Sequence, residues 1–211
     1  GALCEINRDL VQQISRQGIK ALGLSGQDGQ SLRYETHTAG TPAVTLMPQL
    51  PDLLLQQGIL PVLMPVVPDD KGEDKLLSAE WLGANLAPQL EAATLVLLLD
   101  PATLLTLSHQ DGLTSRQTWE AWLQQQPAGP LAGTLRAVLD ALAHGVRTVH
   151  LLDAEAPGAL LAALMTEEGS GLLLCQEDQG QWLANSQRYF QDSDCDLRPG
   201  FRVERKRVVR F

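Results

Sequence analysis

Aromatic residues are scarce in this chain: three Phe, two Tyr and four Trp make up 4% of it. Its core must therefore be built mainly from Leu, Val and Ala. Cysteine is scarce as well. Cys4, Cys175 and Cys195 are odd in number and widely spaced, with no CxxC pair. That excludes a disulfide framework and a zinc-binding pattern, and it reads as reduced thiols in a cytoplasmic protein. Long apolar runs are missing. The longest largely apolar stretch, Ala92 to Leu99, falls far short of the roughly 20 residues of a membrane span. No stretch reads as a signal peptide. Positive charge is short: 16 Lys and Arg stand against 25 Asp and Glu, a net charge of -9. That excludes non-specific nucleic-acid binding.

What is present suits a globular fold. The chain has 211 residues, 44% of them hydrophobic. This length fits one domain or one and a half, and buries a core without staples. The charge is uneven. Arg202, Arg205, Lys206, Arg207 and Arg210 crowd the last ten residues against Glu204. Such a tail fits an anion or an acidic partner surface, or an edge strand kept soluble by its charges.

The hydrophobic pattern alternates between helices and short strands. Ile6, Leu10 and Ile14 predict an amphipathic helix over 5–17, stopped by Gly18. Ile19 to Leu24 predicts a strand that runs into a turn at Ser25 to Gly29. Residues 31–51 read as a hairpin or as loose strands, and 51–57 as a short helix closed by Gly58. Residues 59–67 read as one strand interrupted by Pro61 and Pro65, and 69–75 as a charged loop. Ser78 is placed to cap a helix that reaches Leu90. Thr94 to Leu99 predicts a fully buried strand ended by Asp100 and Pro101. Helices are predicted from Ser115, over 131–144 and over 158–165. Strands are predicted over 146–152 and 171–175, with an antiparallel edge strand or intersubunit arm near 201–209. This order predicts an α/β fold: a three-layer αβα arrangement with a mostly parallel sheet. A short C-terminal β extension follows. We divide it into a domain over 1–174 and an extension over 175–211.

Four blocks of sequence resemble the acetylglutamate kinase branch of the amino-acid kinase family. They are EINRDLV from Glu5 followed by GIKALGLSGQDG from Gly18, LQQGILPVLMPV from Leu55, ATLVLLLD ending at Asp100, and the stretch from Leu135 to Gly171. The resemblance covers residues 1 to about 174. It implies a chain that starts inside the family domain, after the strand and glycine-rich loops that hold ATP phosphates. It further implies ATP and Mg as cofactors, an amino acid or N-acyl amino acid as ligand, and a homo-oligomer or a part of a longer chain. The family lysine that stabilises the transferred phosphoryl group falls on Thr134, which carries no cation. The asparagine and aspartate of its N-x-N-A-D motif fall on Leu76 and Glu80.

The resemblance thus marks Glu80 and Asp100 as catalytic, and Asp100 with Ser25 and Gly26 as nucleotide-binding. Read from the residues alone, Asp100 is equally a turn aspartate, Glu80 a complement to a helix dipole, and Ser25 to Gly29 a tight turn. In arginine-inhibited relatives the equivalents of His150, Glu167, Glu168, Gly169 and Gly171 hold the effector, a carboxylate meeting the guanidinium. The other reading of that stretch is a solvated acidic turn. His37, His109 and His144 show no metal-ligand spacing. The sequence therefore predicts an acetylglutamate kinase-like protein of arginine biosynthesis with impaired or lost activity. The alternative is a non-catalytic, arginine-sensing domain like that of acetylglutamate synthase.

Overall fold

The computed structural model describes residues 2–36, 42–47, 49–108, 116–126, 129–165, 171–175 and 207–210. The chain forms two compact units, Gly1–Leu90 and Glu91–Phe211.

In the first unit, helix α1 (Ala2–Arg16) ends at Gly18, whose φ of +82° suits a residue without a Cβ. It packs on strand β1 (Ala21–Leu24), which pairs in parallel with β4 (Leu60–Leu63). The predicted helix is present, but its predicted stripe is not the one that faces the strands. Ile6 and Leu10 are 62% and 45% exposed. The half-buried row is Leu3, Asn7, Val11 and Ile14. The reason is polar: the Asn7 amide donates to the Val62 carbonyl oxygen at 2.9 Å. Gly23 leaves the room for it, because a Cβ there would collide with the Asn7 side chain.

The predicted hairpin is β2 (Leu32–Thr36) against β3 (Pro42–Leu46), antiparallel. Helix α2 (Gln49–Gln56) supports β4 and closes at Gly58, φ +68°. The single strand predicted over 59–67 is two. Pro65 has no N–H to continue the ladder, so β4 ends and β5 (Val66–Pro68) begins after it. The predicted charged loop is partly a strand as well. β6 (Asp74–Leu76) pairs antiparallel with β5. Asp69 nucleates the turn between them by accepting the Lys71 and Glu73 amides, each at 2.9 Å. Helix α3 (Ala79–Gln89) starts at its expected cap, with the Trp81 amide donating to Ser78 Oγ at 3.1 Å. Leu32, Val44, Leu46, Val67, Leu82 and Leu86 form the core.

The second unit is built on one sheet in the order β10-β9-β8-β7. β7 (Thr94–Leu99) and β8 (Thr148–Asp153) are parallel, and β9 (Leu172–Cys175) runs antiparallel to β8. β10 (Arg207–Arg210) lies parallel to β9, so the terminal strand is at an edge as expected but not antiparallel. The first five residues of β8 are all buried, as a central strand under helices requires. β7 alternates instead: Leu95, Leu97 and Leu99 are buried while Leu98 is 49% exposed. Among the described residues β7 is the outer strand of this sheet, and its alternation corrects the fully buried strand read from its composition. Asp100 and Pro101 end β7 but at once open helix α4 (Pro101–Ser108), which the apolar pattern did not reveal. Helices α5 (Arg116–Gln125), α6 (Pro130–Ala143) and α7 (Ala159–Met165) follow. Ala159 and Ala163 of α7 pack on Leu152 and Val96.

Gly23→Ala should lower the urea midpoint, since overpacking of this kind costs about 1–3 kcal/mol. An unchanged midpoint would mean that α1 yields without cost.

Candidate functional site

The residues singled out from sequence fall into two groups, one in each unit, and these are described separately. In the first unit the loop after β1 closes on itself. Ser25 donates twice to Asp28 Oδ2, from its backbone N at 2.7 Å and from Oγ at 2.8 Å. These bonds, the backbone one first, hold the Asp28 carboxyl below its ordinary value of 3.8. The Gly26 amide donates to Val66 O at 3.0 Å, and the amides of Asp28, Gln30 and Ser31 donate within the loop. A Cβ on Gly26 would sit 2.9 Å from Val66 O, so the glycine serves a backbone approach. Gln27 Nε2 reaches Asp74 Oδ1 at 2.7 Å and ties the loop to the β5–β6 hairpin.

Glu80 belongs to the same neighbourhood through that hairpin. Its Oε2 accepts from Ser78 Oγ at 2.6 Å, in the first turn of α3. Leu76 is exposed on β6. Ser25, Gly26, Leu76 and Glu80 thus surround one hairpin, with each polar group already engaged. A cavity of about 400 Å³ beside Ser15, Lys20, Leu22 and Ile59 lies at the amino end of β1. Open α/β sheets bind ligands at the other, carboxyl end of their strands.

In the second unit, β7 and β8 bring Asp100 and Asp153 to one sheet end, where Leu99 pairs with Asp153. The Thr103 amide donates to Asp100 Oδ1 at 2.9 Å, which makes Asp100 the cap of α4. The Thr103 hydroxyl, and then its amide, hold the Asp100 carboxyl below its ordinary value. Asp153 Oδ1 accepts the Glu155 amide at 2.8 Å. Thr134 lies inside α6, which begins at Pro130, one residue before the expected start, because proline is preset for a first helical turn. It is 4% exposed. His150 is 2% exposed in the middle of β8, paired with Leu173. Gly171, two residues before Leu173, takes φ +77°, and a Cβ there would meet Leu151 O. His150 therefore lies within the β8–β9 ladder, and Gly171 immediately precedes its strand β9. Glu167, Glu168 and Gly169 lie outside the described residues, as do His37, His109 and Cys195. His144 is exposed, with Nδ1 3.3 Å from Asp140 Oδ1.

Among the described residues, no group of three or more His, Cys, Asp or Glu side chains gathers as metal ligands do. No described helix is long and apolar enough to cross a membrane. MgATP fits these residues poorly. The loop amides of Gly26, Asp28, Gln30 and Ser31 are bonded within the unit, Glu80 is held by Ser78, and Asp100 is turned to its own helix. Asn7 and Gln27 were missed from sequence. Asn7 left one trace, as the polar member of the row Leu3, Asn7, Val11.

No protein-family model matches the chain. Individual proteins do. An acetylglutamate kinase of Synechococcus sp. (strain RCC307) is 31% identical over 186 residues, covering 83% of this chain and 63% of that protein. One of Methanocaldococcus jannaschii is 28% identical over 195 residues, covering 82% and 65%. The chain spans about three-fifths of the length of these curated relatives. Among solved structures, N-acetylglutamate synthase from Neisseria gonorrhoeae, complexed with coenzyme A and L-arginine, superposes with a TM-score of 0.56 at 18% identity, covering 88% of this chain and 46% of that one. An isopentenyl phosphate kinase does so with a TM-score of 0.50 at 18% identity, covering 74% and 59%. The fold is that of the amino-acid kinases. Within it, over about four-fifths of its length, the chain is acetylglutamate kinase-like.

Asp28 titrates below 3.8 in the folded chain. Its contribution is therefore complete above the unfolded pKa and disappears as pH falls through the folded one. Asp28→Asn should lower the urea midpoint at pH 7, and the gap to wild type should shrink at pH 3. A gap of equal size at both pH values would refute this role for the carboxylate.

Proposed function

We propose that this chain is the amino-acid-kinase-like part of an arginine-biosynthesis protein and has lost phosphoryl transfer to an N-acyl amino acid. The observation that carries this reading is Thr134. It stands at the position of the family lysine, has no charge, and is buried in α6. A transferring phosphoryl group needs preorganised positive charge, and losing even one preorganised donor costs roughly a hundredfold or more in rate. Leu76 at the family asparagine position supports the same reading, since its side chain has no hydrogen-bonding atom. The engagement of Glu80 with Ser78 supports it further.

Arginine sensing is the second reading. It is favoured by the similarity of fold to a synthase whose structure contains L-arginine, and by the position of Gly171 just before the strand that pairs with His150. The α-carboxylate and amine of arginine suit a glycine-flanked backbone, and Glu168 suits its guanidinium.

A thermal-melt titration separates these readings. L-arginine at a hundred times its dissociation constant should stabilise the native state by about 2.7 kcal/mol, while MgATP leaves the melt unchanged. Glu168→Gln should abolish the arginine shift. A shift with MgATP, together with phosphorylation of N-acetylglutamate, would overturn the loss of transfer. No shift with arginine would remove the sensing reading.

A further inference from the structure

β9 and β10 are parallel neighbours, and residues 176–206 join them. Such strands are joined by a crossover of about a dozen residues or more, which passes over one face of the sheet. Handedness decides the face, because these crossovers are right-handed in about 98% of cases. The sheet holds its own reference. The connection from β7 to β8 is also a parallel crossover, and it steps along the sheet in the same direction as the step from β9 to β10. β9 and β10, however, point the opposite way to β7 and β8. Reversing the strands while keeping the step puts a crossover of the same hand on the other face.

Burial fixes the first face. Leu95, Leu97 and Leu99 of β7 are buried, so the crossover that contains α4, α5 and α6 covers their side. Thr94 and Leu98, on the opposite side, are exposed. α7 lies on that opposite side, with Ala159 and Ala163 against Leu152 and Val96. The second crossover therefore belongs to the side of α7. β9 is covered there: Leu173 and Cys175, which share this face through their pairing with His150 and Thr148, are 2% and 9% exposed.

α7 is built to receive a neighbour. It carries no charge, its buried residues are the small Ala159, Ala162 and Ala163, and its large residues point outward. Leu160, Leu161, Leu164 and Met165 are between 45% and 57% exposed. A helix on the surface ordinarily turns polar residues to solvent, and a patch of large apolar side chains marks an interaction site. The crossover carries a matching stripe. Trp182, Leu183, Tyr189 and Phe190 stand at positions i, i+1, i+7 and i+8, one face of a helical repeat. Gln181, Asn185, Gln187 and Arg188 fall on the rest of that repeat. We propose that the outer surface of α7 is the docking site of residues 182–190 of the same chain, seated as an amphipathic helix with its aromatic face against Leu160, Leu161, Leu164 and Met165. The proposal is independent of any kinase or sensor role.

The test uses the 211-residue chain with methyl-labelled Leu and Met. Nuclear Overhauser contacts are recorded across a dilution series, and mass is followed by sedimentation velocity. The methyls of Met165 and of the α7 leucines should contact the rings of Trp182, Tyr189 and Phe190, with the same intensity per chain at every dilution. In the double variant Trp182→Ser, Phe190→Ser, the α7 amides should exchange at least about tenfold faster than in wild type, while those of β8 keep their protection. Three results overturn the proposal. One is the absence of ring contacts to α7. Another is ring contacts to Leu95 or Leu97, on the opposite face. The last is contacts that fade on dilution as the mass falls, which would make the occupant a second copy. Should the double variant fail to fold, the wild-type contacts decide alone.

Discussion

The Asp28 carboxylate receives two hydrogen bonds from Ser25, and the organisation of residues 1–90 depends on that closure. It turns the chain sharply after β1, so that Gly26 lies against Val66 and Gln27 reaches Asp74. Leu32 then leaves the loop with its amide bonded to Gly26 O at 3.1 Å, already directed into β2. β2 and β5 can share a core only because the loop between them and β1 is this tight. Ser31, fully buried, completes the loop by donating to Ser25 O at 3.3 Å.

The same economy recurs at the candidate residues of both units. Polar groups at the strand ends bond to the chain itself: Glu80 to Ser78, Asp100 to Thr103, Asp153 to Glu155. Caps and turns of this sort stabilise helix starts, because a helix leaves its first N–H groups without intrahelical partners. A carboxylate used as a cap already sits where a phosphate would otherwise be attracted. A fold inherited from phosphate-handling relatives and a set of side chains committed to the fold are thus compatible. If phosphoryl transfer is lost, as proposed, the chain keeps the scaffold without the chemistry.

Much of this was legible in the sequence, and the failures have physical causes. Gly18 and Gly58 marked helix ends because only a residue without Cβ adopts their positive φ easily. Ser78 marked a helix start through its cap. The hairpin over 32–46 followed from alternation between breakers. The strand over 59–67 could not be divided from pattern alone, since apolar residues continue across Pro65 while the ladder does not. Thr94 to Leu99 is apolar enough for a central strand, and only its place at the outer position of the sheet leaves Leu98 uncovered. α4 was invisible because its eight residues have almost no polar face to set a period. The candidate site was legible only as residue types. That Ser25, Glu80 and Leu76 gather around one hairpin follows from strand pairing, which no local pattern records. The engagement of each carboxylate depends on side-chain direction and is equally out of reach.

β7 and β8 are neighbours in the sheet but far apart along the chain. The hydroxyls of Thr94 and Thr148, 3.0 Å apart across the ladder, are separated by 54 positions. A parallel pair cannot be joined by a tight turn, so α4, α5 and α6 must all be accommodated in the crossover. The entropy of closing so long a loop is lost before the buried row of β8 returns anything. Folding of residues 91–211 is therefore limited by a distant encounter rather than by local propensity. Until that encounter succeeds, the edge of β8 that takes β7 has no partner, and an unpaired apolar strand edge is prone to aggregation.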